Sequence, residues 1–247
     1  EATRENVHRL MQRENVHIIP PDSGLVACGD TGAGRLADQS ELLWNTVRYL
    51  TSSDLQGYRL LVTFGPTREF WDPVRYLSNP SSGKMGAAMA LTAWLRGAEV
   101  HCVSGPNDQW LPQGIGQTSV TSAREMFEAC MDLWPTADIG CLCAAVCDFR
   151  PESCAEHKLK KDKQQGGLTI PFVPNPDILR TLGENKKAHQ QLIGFAAESE
   201  ADYEVFALKK IASKNLDCIV ANCITQAGAG FNASKNTVTV FFPDGRT

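Results

Sequence analysis

Short apolar runs recur along most of this chain, and each is followed by a stretch with the longer rhythm of an amphipathic helix. RLLVT (59–63), EVHCV (99–103), DIGCLCAAV (138–146), LIGF (192–195) and CIVAN (218–222) have the character of strands covered on both faces. Between them, a helix is predicted from Gly83 to Arg96, stopped by Gly97. A second opens at the capping box Ser122-Ala123-Arg124-Glu125 and closes before Pro135. A third starts at Asn175-Pro176, with asparagine as cap and proline at the first helical position. A fourth covers 199–213. LTIPFV (168–173) predicts a strand that Pro171 confines to an edge or bulge, and VTVFF (238–242) predicts half of a terminal hairpin. Upstream, residues 2–13 predict a short helix, VHII (16–19) a strand, and Pro20 to Gly24 a turn. ACGDTGAGR (27–35) reads as a glycine-rich loop, and 40–50 as a helix with Leu42, Leu43, Val47 and Leu50 on its apolar side.

Strands and helices in alternation imply an α/β fold with an open, doubly wound, mainly parallel sheet of Rossmann-like type. Ligands of such sheets bind beyond the carboxyl ends of the strands. That puts the loops after Thr63, Ala145, Phe195 and Asn222 on one rim. The net charge of −4 over 247 residues gives no reason to expect nucleic acid or a membrane surface as partner. No apolar run approaches the length of a membrane span, and the first residues are too polar for a secretory leader. Of nine cysteines, Cys102, Cys141, Cys143 and Cys218 sit in apolar surroundings, as small hydrophobes do. The Cys141-Leu-Cys143 spacing does not suit zinc, and the odd count fits reduced thiols in a cytoplasmic protein.

The residues that carry chemistry fall on the rim loops. FGPTREFWDPVRYLSNPSSGKMG (64–86) is far longer than an ordinary strand–helix connection, and Ser81-Ser82-Gly83-Lys84 meets a helix start whose free N–H groups suit a phosphate. The pattern is neither a Walker A loop nor a dinucleotide fingerprint, since EVHCV is followed by Ser104-Gly105-Pro106 instead of an acid. In AAVCDFRPESCAEHKLKK (144–161), Asp148 directly follows a buried strand, where a carboxylate can hold a divalent cation against phosphates. Lys158, Lys160, Lys161 and Lys163 form a basic cluster; alone it reads as a solvated face, but beside Asp148 one lysine can neutralise an anionic substrate. NPDIL (175–179) and GFAAE (194–198) offer a helix start and an aromatic ring, Phe195, to a base. Lys210 and Lys214 share one helical face and can equally be phosphate ligands or surface lysines.

Taken together, TREFWDPVRYLSNPSSGKMG, AAVCDFRP, HKLKK, NPDIL, GFAAE and KNLDCIVAN followed by GFNASKN resemble the phosphopantothenoylcysteine synthetase family, in order and spacing, over about residues 58–242. The first 37 residues are similar to the end of a flavin-dependent phosphopantothenoylcysteine decarboxylase, with Cys28 matching that family's proton donor. The two enzymes are commonly fused in that order in bacteria. The resemblance therefore implies a decarboxylase remnant over 1–45 and a ligase domain over 46–247, cut short after FFPDGRT. FMN would belong to the full fusion only, and no decarboxylation is expected from Cys28 alone.

What the resemblance implies for the ligase is a reaction in two halves. The carboxylate of 4'-phosphopantothenate attacks the α-phosphorus of CTP and pyrophosphate leaves; the amine of L-cysteine then attacks the acyl-cytidylate and CMP leaves. Lys158 and Mg2+ on Asp148 would serve the first half, and Asn79 would convert the intermediate. Pro176, Asp177, Ile178, Leu179 and Phe195 would hold cytosine, Lys210 and Lys214 the triphosphate, and Ala144 and Ala145 would allow close approach. A homodimer with an antiparallel flap in 152–175 is also implied. The chain departs from the family at Gly65-Pro66-Thr67, at Pro80 and at Cys223. Three other readings are open: the same ligation with ATP, a non-catalytic assembly module, and, more remotely, a nicotinamide oxidoreductase. The ligase reading requires Asn79, Asp148 and Lys158 to share one crevice.

Overall fold

The structure, a computed structural model, describes residues 2–25, 29–160, 167–198, 203–223 and 236–247. The chain divides into two compact units, Glu1–Ser52 and Ser53–Thr247. The first contains helix α1 (Ala2–Met11), strands β1 (Asp22–Leu25) and β2 (Thr31–Arg35), and helix α2 (Gln39–Leu50). Here two expectations are corrected. VHII carries no strand, because it runs into Pro20-Pro21, which offer no N–H to a ladder. The turn and the glycine-rich loop are instead the arms of an antiparallel hairpin, with Gly24 opposite Gly32. The α2 helix runs unbroken across residues 45 and 46, and is capped by the Asp38 carboxylate on the Ser40 N–H at 2.8 Å.

The second unit runs β3 (Arg59–Phe64), β4 (Arg68–Phe70), β5 (Tyr76–Ser78), α3 (Lys84–Leu95), β6 (Glu99–Ser104), β7 (Gly116–Ser119), α4 (Ala123–Leu133) and a single 3-10 turn at Trp134–Thr136. It continues with β8 (Ile139–Leu142), β9 (Phe149–Pro151), β10 (Phe172–Pro174), α5 (Ile178–Glu184), β11 (Gln191–Glu198), α6 (Tyr203–Lys214), β12 (Cys218–Cys223) and β13 (Thr239–Phe241). Seven of the strands form one sheet in the order β13-β12-β11-β8-β3-β6-β7, parallel except for β13. The expected doubly wound sheet is present, together with two small antiparallel pairs, β4 with β5 and β9 with β10.

Strand periodicity assigns the faces. Leu61 belongs to the core made with Met126, Trp134, Leu182, Ile211 and Ile219, on the side of α4, α5 and α6. Its neighbour in the alternation, Phe64, points the other way, onto α3. The approach of α3 to β3 is close enough that a Cβ on Gly86 would sit 2.4 Å from Phe64 Cβ, so only glycine fits. Chain leaving β3 passes through α3 on one face, and chain leaving β8 passes through α5 on the other. β3 and β8 are neighbours, so the sheet has its switch point, and hence a crevice, at their carboxyl ends.

Several boundaries differ from the sequence expectation. DIGCLCAAV is sheet only over Ile139–Leu142, because from Cys143 onward its backbone pairs with the loop after β3. LTIPFV pairs only from Phe172, with β9 and not with the main sheet. The cap of α5 is Asp177, whose carboxylate accepts the Arg180 N–H at 3.0 Å; Asn175 is committed elsewhere. The β7 edge strand, GQTS, has no apolar run to announce it.

Candidate functional site

The loops after β3 and β8 continue the ladder beyond the sheet. Cys143 N–H donates to Thr63 O at 3.0 Å, Ala145 N–H to Gly65 O at 2.9 Å, and Thr67 N–H back to Ala145 O at 3.3 Å. The buried Thr63 and Thr67 hydroxyls accept from Ala144 and Cys147 N–H at 3.3 and 3.0 Å. Polar groups that would be orphaned at a strand end are thereby paired, and the two loops are tied together.

Onto this base the chain folds two asparagines. Asn79 Nδ2 donates to Val146 O at 3.0 Å, and Asn175 Nδ2 donates to Cys147 O at 2.8 Å. The Asn175 N–H also donates to Asp148 O at 2.8 Å. The stretch Val146–Asp148 is therefore strapped from both sides, and Asn79 is fixed two residues from Asp148. Asn79 and Asp148 both remain exposed.

A cavity of about 970 Å3 opens at this point and runs along the α3 side of the sheet. It brings together Asn79, Ser81, Ser82, Gly83, Lys84, Ala144, Ala145 and Phe195 from the sequence expectations. Gly83 takes a left-handed φ of 73° at the cap of α3, where an added Cβ would press on the Phe64 ring at 3.1 Å. Cys143 is in the cavity wall, but burial pushes its thiol up to about 12, so it is neutral and a poor nucleophile at ordinary pH.

The remaining expected residues are not part of the cavity wall. Lys158 is exposed on the segment that follows β9. Pro176 and Asp177 lead into α5, while Ile178 is buried in the core and Leu179 packs against it. A Cβ on Gly194 would meet Leu179 at 3.0 Å, so Leu179 covers the α5 face of β11, and the next residue, Phe195, lines the cavity on the other face. The side chains of Leu179 and Phe195 are thus not brought together, because alternate residues of a strand point to opposite faces. Lys214 Nζ lies 2.9 Å from the Asp177 carboxylate, so this lysine pairs with an acid at the α5 cap. Burial would raise the Asp177 carboxyl, but the Lys214 ammonium and the Arg180 N–H outweigh it and hold it below the usual carboxylate range. Lys210 lies one turn earlier on α6. Cys28, Lys161 and Lys163 lie outside the described residues.

Sequence reasoning passed over Thr67, Glu69, Asp72 and Arg75. Glu69 is buried and caps α4 through the Ala123 N–H at 2.8 Å; Asp72 is fully buried and bonded to backbone N–H groups on both sides of the site. The available signal was two acids inside an overlong loop, one of them in the turn-forming pair Asp72-Pro73. Among the described residues no group of three or more His, Cys, Asp or Glu is arranged to hold a metal, and no helix is long and apolar enough to cross a membrane.

Comparison with known proteins places this geometry. The sequence profile of the DNA/pantothenate metabolism flavoprotein C-terminal domain matches residues 55–247. The coenzyme A biosynthesis bifunctional protein CoaBC of Vibrio parahaemolyticus is 43% identical over 244 residues, which is 99% of this chain and 61% of that protein. Its Bacillus subtilis counterpart is 44% identical over 248 residues, or 99% and 60%. The chain therefore spans about three fifths of the length of these relatives. A crystal structure of the C-terminal domain of a CoaBC protein aligns with a TM-score of 0.66 and 42% identity, covering 79% of this chain and 86% of that one. A mutant of a protein called Cab2, in complex with phosphopantothenate-cysteine, shares the fold at a TM-score of 0.64 and 16% identity, with 84% of each chain covered.

Proposed function

Since the chain belongs to the DNA/pantothenate metabolism flavoprotein C-terminal domain family, we propose that its part from residue 46 onward joins L-cysteine to 4'-phosphopantothenate in coenzyme A biosynthesis. The nucleotide is CTP and the intermediate an acyl-cytidylate. The coarser part of this reading, phosphopantothenoylcysteine synthesis, is supported by the CoaBC relatives and by the phosphopantothenate-cysteine bound to Cab2. The observation that supports placing the chemistry here is the hydrogen bond from Asn79 Nδ2 to Val146 O, which ties an amide at the cavity wall to the loop of Asp148.

In the first half-reaction a carboxylate oxygen bonds to the α-phosphorus and the bond to pyrophosphate breaks. Negative charge collects on phosphate oxygens, which Lys158 offsets. Asp148 would hold a magnesium ion together with the nucleotide, since Mg2+ is commonly bound through one or two protein carboxylates plus phosphates and water, Asp148 is exposed, and among the described residues no group of three or more His, Cys, Asp or Glu is arranged to hold a metal by itself. When bound, that ion supplies charge neutralisation for the leaving pyrophosphate. In the second half-reaction the cysteine amine attacks the acyl carbon and CMP leaves. Asn79 is neutral, so it orients the acyl group without attracting or repelling the amine. Ala144 and Ala145 have no bulk to keep the reacting groups from the loop backbone. Ser81, Ser82, Gly83 and Lys84 take the anionic end of phosphopantothenate. Pro176 and Asp177, at the start of α5, take the edge of cytosine, while Ile178 and Leu179 behind them pack the core and Phe195 lines the cavity on the other face of β11; Lys210 with Lys214 take the triphosphate, with Lys214 released from Asp177 as it does so. The enzyme works as a homodimer, with the β9–β10 flap at the partner, and gel filtration at several concentrations tests this. FMN belongs to the decarboxylase half of the fused relatives.

Pyrophosphate release with 4'-phosphopantothenate and either CTP or ATP tests the reading. CTP should be faster by at least about tenfold, the scale of one well-placed set of base contacts. Equal rates with the two nucleotides remove the cytosine assignment, and no release with either leaves only a binding module.

A further inference from the structure

Between Glu152 and Lys160 the chain is exposed except at two residues, Ala155 and Leu159. Both are held by the turn at Trp71–Arg75. The Ala155 N–H donates to Trp71 O at 2.9 Å, and the Leu159 N–H donates to Asp72 Oδ2 at 3.2 Å. The Arg75 guanidinium donates to Leu159 O through Nη2, and its Nε lies 3.2 Å from Asp72 Oδ2. Both polar groups of Leu159 are thus gripped by one ion pair, 87 residues away from Asp72 in sequence. The turn itself is firm. Trp71 N–H reaches Arg75 O at 3.2 Å, and Asp72 Oδ1 accepts the N–H groups of Val74 and Arg75 at 2.8 and 2.9 Å.

We propose that Asp72 is a positioning residue for Lys158: with Arg75 it latches the Leu159 peptide to the turn, and so fixes the backbone from which the neighbouring lysine projects. The catalytic part of this rests on the ligase reading above; the latch itself does not. A fully buried carboxylate is tolerated only with its lone pairs occupied, and here the donors are shared between the two oxygens by task. Oδ1 builds the turn, and Oδ2 holds the distant segment and its arginine.

That division makes the inference testable with Asp72→Asn. The amide keeps an oxygen for Val74 and Arg75 but turns an N–H toward Leu159 N–H and the guanidinium. In the full chain, Asp72→Asn should speed exchange of the Leu159 amide by at least about tenfold, with the amides of β3 and β8 unchanged. Pyrophosphate release should fall about tenfold in kcat, with the KM for CTP within about twofold. The double variant Asp72→Asn/Lys158→Gln should be no slower than Lys158→Gln alone, because both act on one group. Leu159→Pro, which deletes the donated N–H and leaves the turn untouched, should reproduce the kcat loss and keeps the question open to test if the buried asparagine prevents folding. Unchanged Leu159 exchange in a folded Asp72→Asn overturns the latch, and a double variant whose losses multiply overturns the link to Lys158. A wild-type chain that releases no pyrophosphate overturns the ligase reading, while Leu159 exchange still decides the latch.

Discussion

Asn79 is neutral and Lys158 is cationic, and the two half-reactions of the proposed mechanism tell them apart. In the proposed reaction Lys158 would face developing phosphate charge, so Lys158→Gln should lower pyrophosphate release by at least about a hundredfold, the scale of losing one charge stabiliser in an active site. Asn79→Asp leaves size and shape alone but adds negative charge and removes the N–H that reaches Val146 O at 3.0 Å. This variant should still release pyrophosphate, and then stall. Quenched single-turnover mixtures should contain an acyl-cytidylate; free product at the wild-type rate would remove Asn79 from the second step. Asn79 was singled out only through the family resemblance, whereas Asp148 was legible as a residue, because a carboxylate after a buried apolar run has few structural reasons to be there. Asp72 and Arg75 were not. Their partner, Leu159, is an ordinary residue on a remote segment, and its contribution is a peptide group, which leaves no mark in the sequence.

The elements that were easiest to foresee are those that bury a whole run, such as β3 and β12, where apolar residues have no alternative use. The short pair β4–β5 went unseen since each strand has three residues and no apolar stripe; of β9–β10, LTIPFV announced an edge strand that begins only at Phe172 and the family resemblance implied an antiparallel flap, but β9 itself was not foreseen, since its pairing depends on where the flanking loops are carried. The start of α5 was misplaced by two residues for a related reason. Asn175-Pro176 has the form of a cap followed by a first turn, yet Asn175 is drawn to Cys147 O by the loop it crosses, leaving Asp177 to cap. Asp177 also joins α5 to Lys214 on α6, close to where Gly183 lets the helices touch, a Cβ there falling 1.9 Å from Lys214 O. Asp177→Ala should therefore lower stability in urea by about 1–2 kcal/mol, mostly from the lost cap. Asp177→Asn keeps a capping oxygen and should cost well under half of that, the half-exposed ion pair adding little. The Asp177 carboxyl is held below the usual carboxylate range, so its contribution is present above that range and disappears as pH falls through the lowered folded value. Equal losses for the two variants at neutral pH would show that the ion pair, and not the cap, matters.

Across the sheet the side chains at one level read Cys102, Val62, Cys141, Ile193, Cys218, from β6 to β12, with Cys130 behind them on α4. The sequence read Cys102, Cys141, Cys143 and Cys218 as small apolar fillers and passed over Cys130, and a consequence follows for the molecule as a whole. Burial pushes Cys102, Cys130 and Cys143 each up to about 12, and Cys141 higher, because the low-dielectric interior disfavours the thiolate. In the unfolded chain the same groups ionise near 8.5, the ordinary thiol value. Between those limits the unfolded state holds fewer protons than the folded one, so rising pH favours unfolding. The stabilisation from keeping them neutral is complete below the unfolded value and is lost as pH climbs toward the folded one. Well above the unfolded value one unit of pH is worth about 1.4 kcal/mol for each thiol, so each group loses about 0.4 kcal/mol from pH 7 to 8.5 and about 1.6 kcal/mol from pH 8.5 to 10. Urea unfolding under reducing conditions at pH 7, 8.5 and 10 should show a shallow fall in free energy over the first step and one about four times as large over the second. Replacing Cys102, Cys130 and Cys143 together by alanine lowers stability at every pH but should flatten the second step, since alanine has no proton to lose. If the alkaline fall is as steep in that triple variant as in the parent chain, the loss comes from lysines and tyrosines at the surface, and the thiol row is not what sets the alkaline limit of the fold.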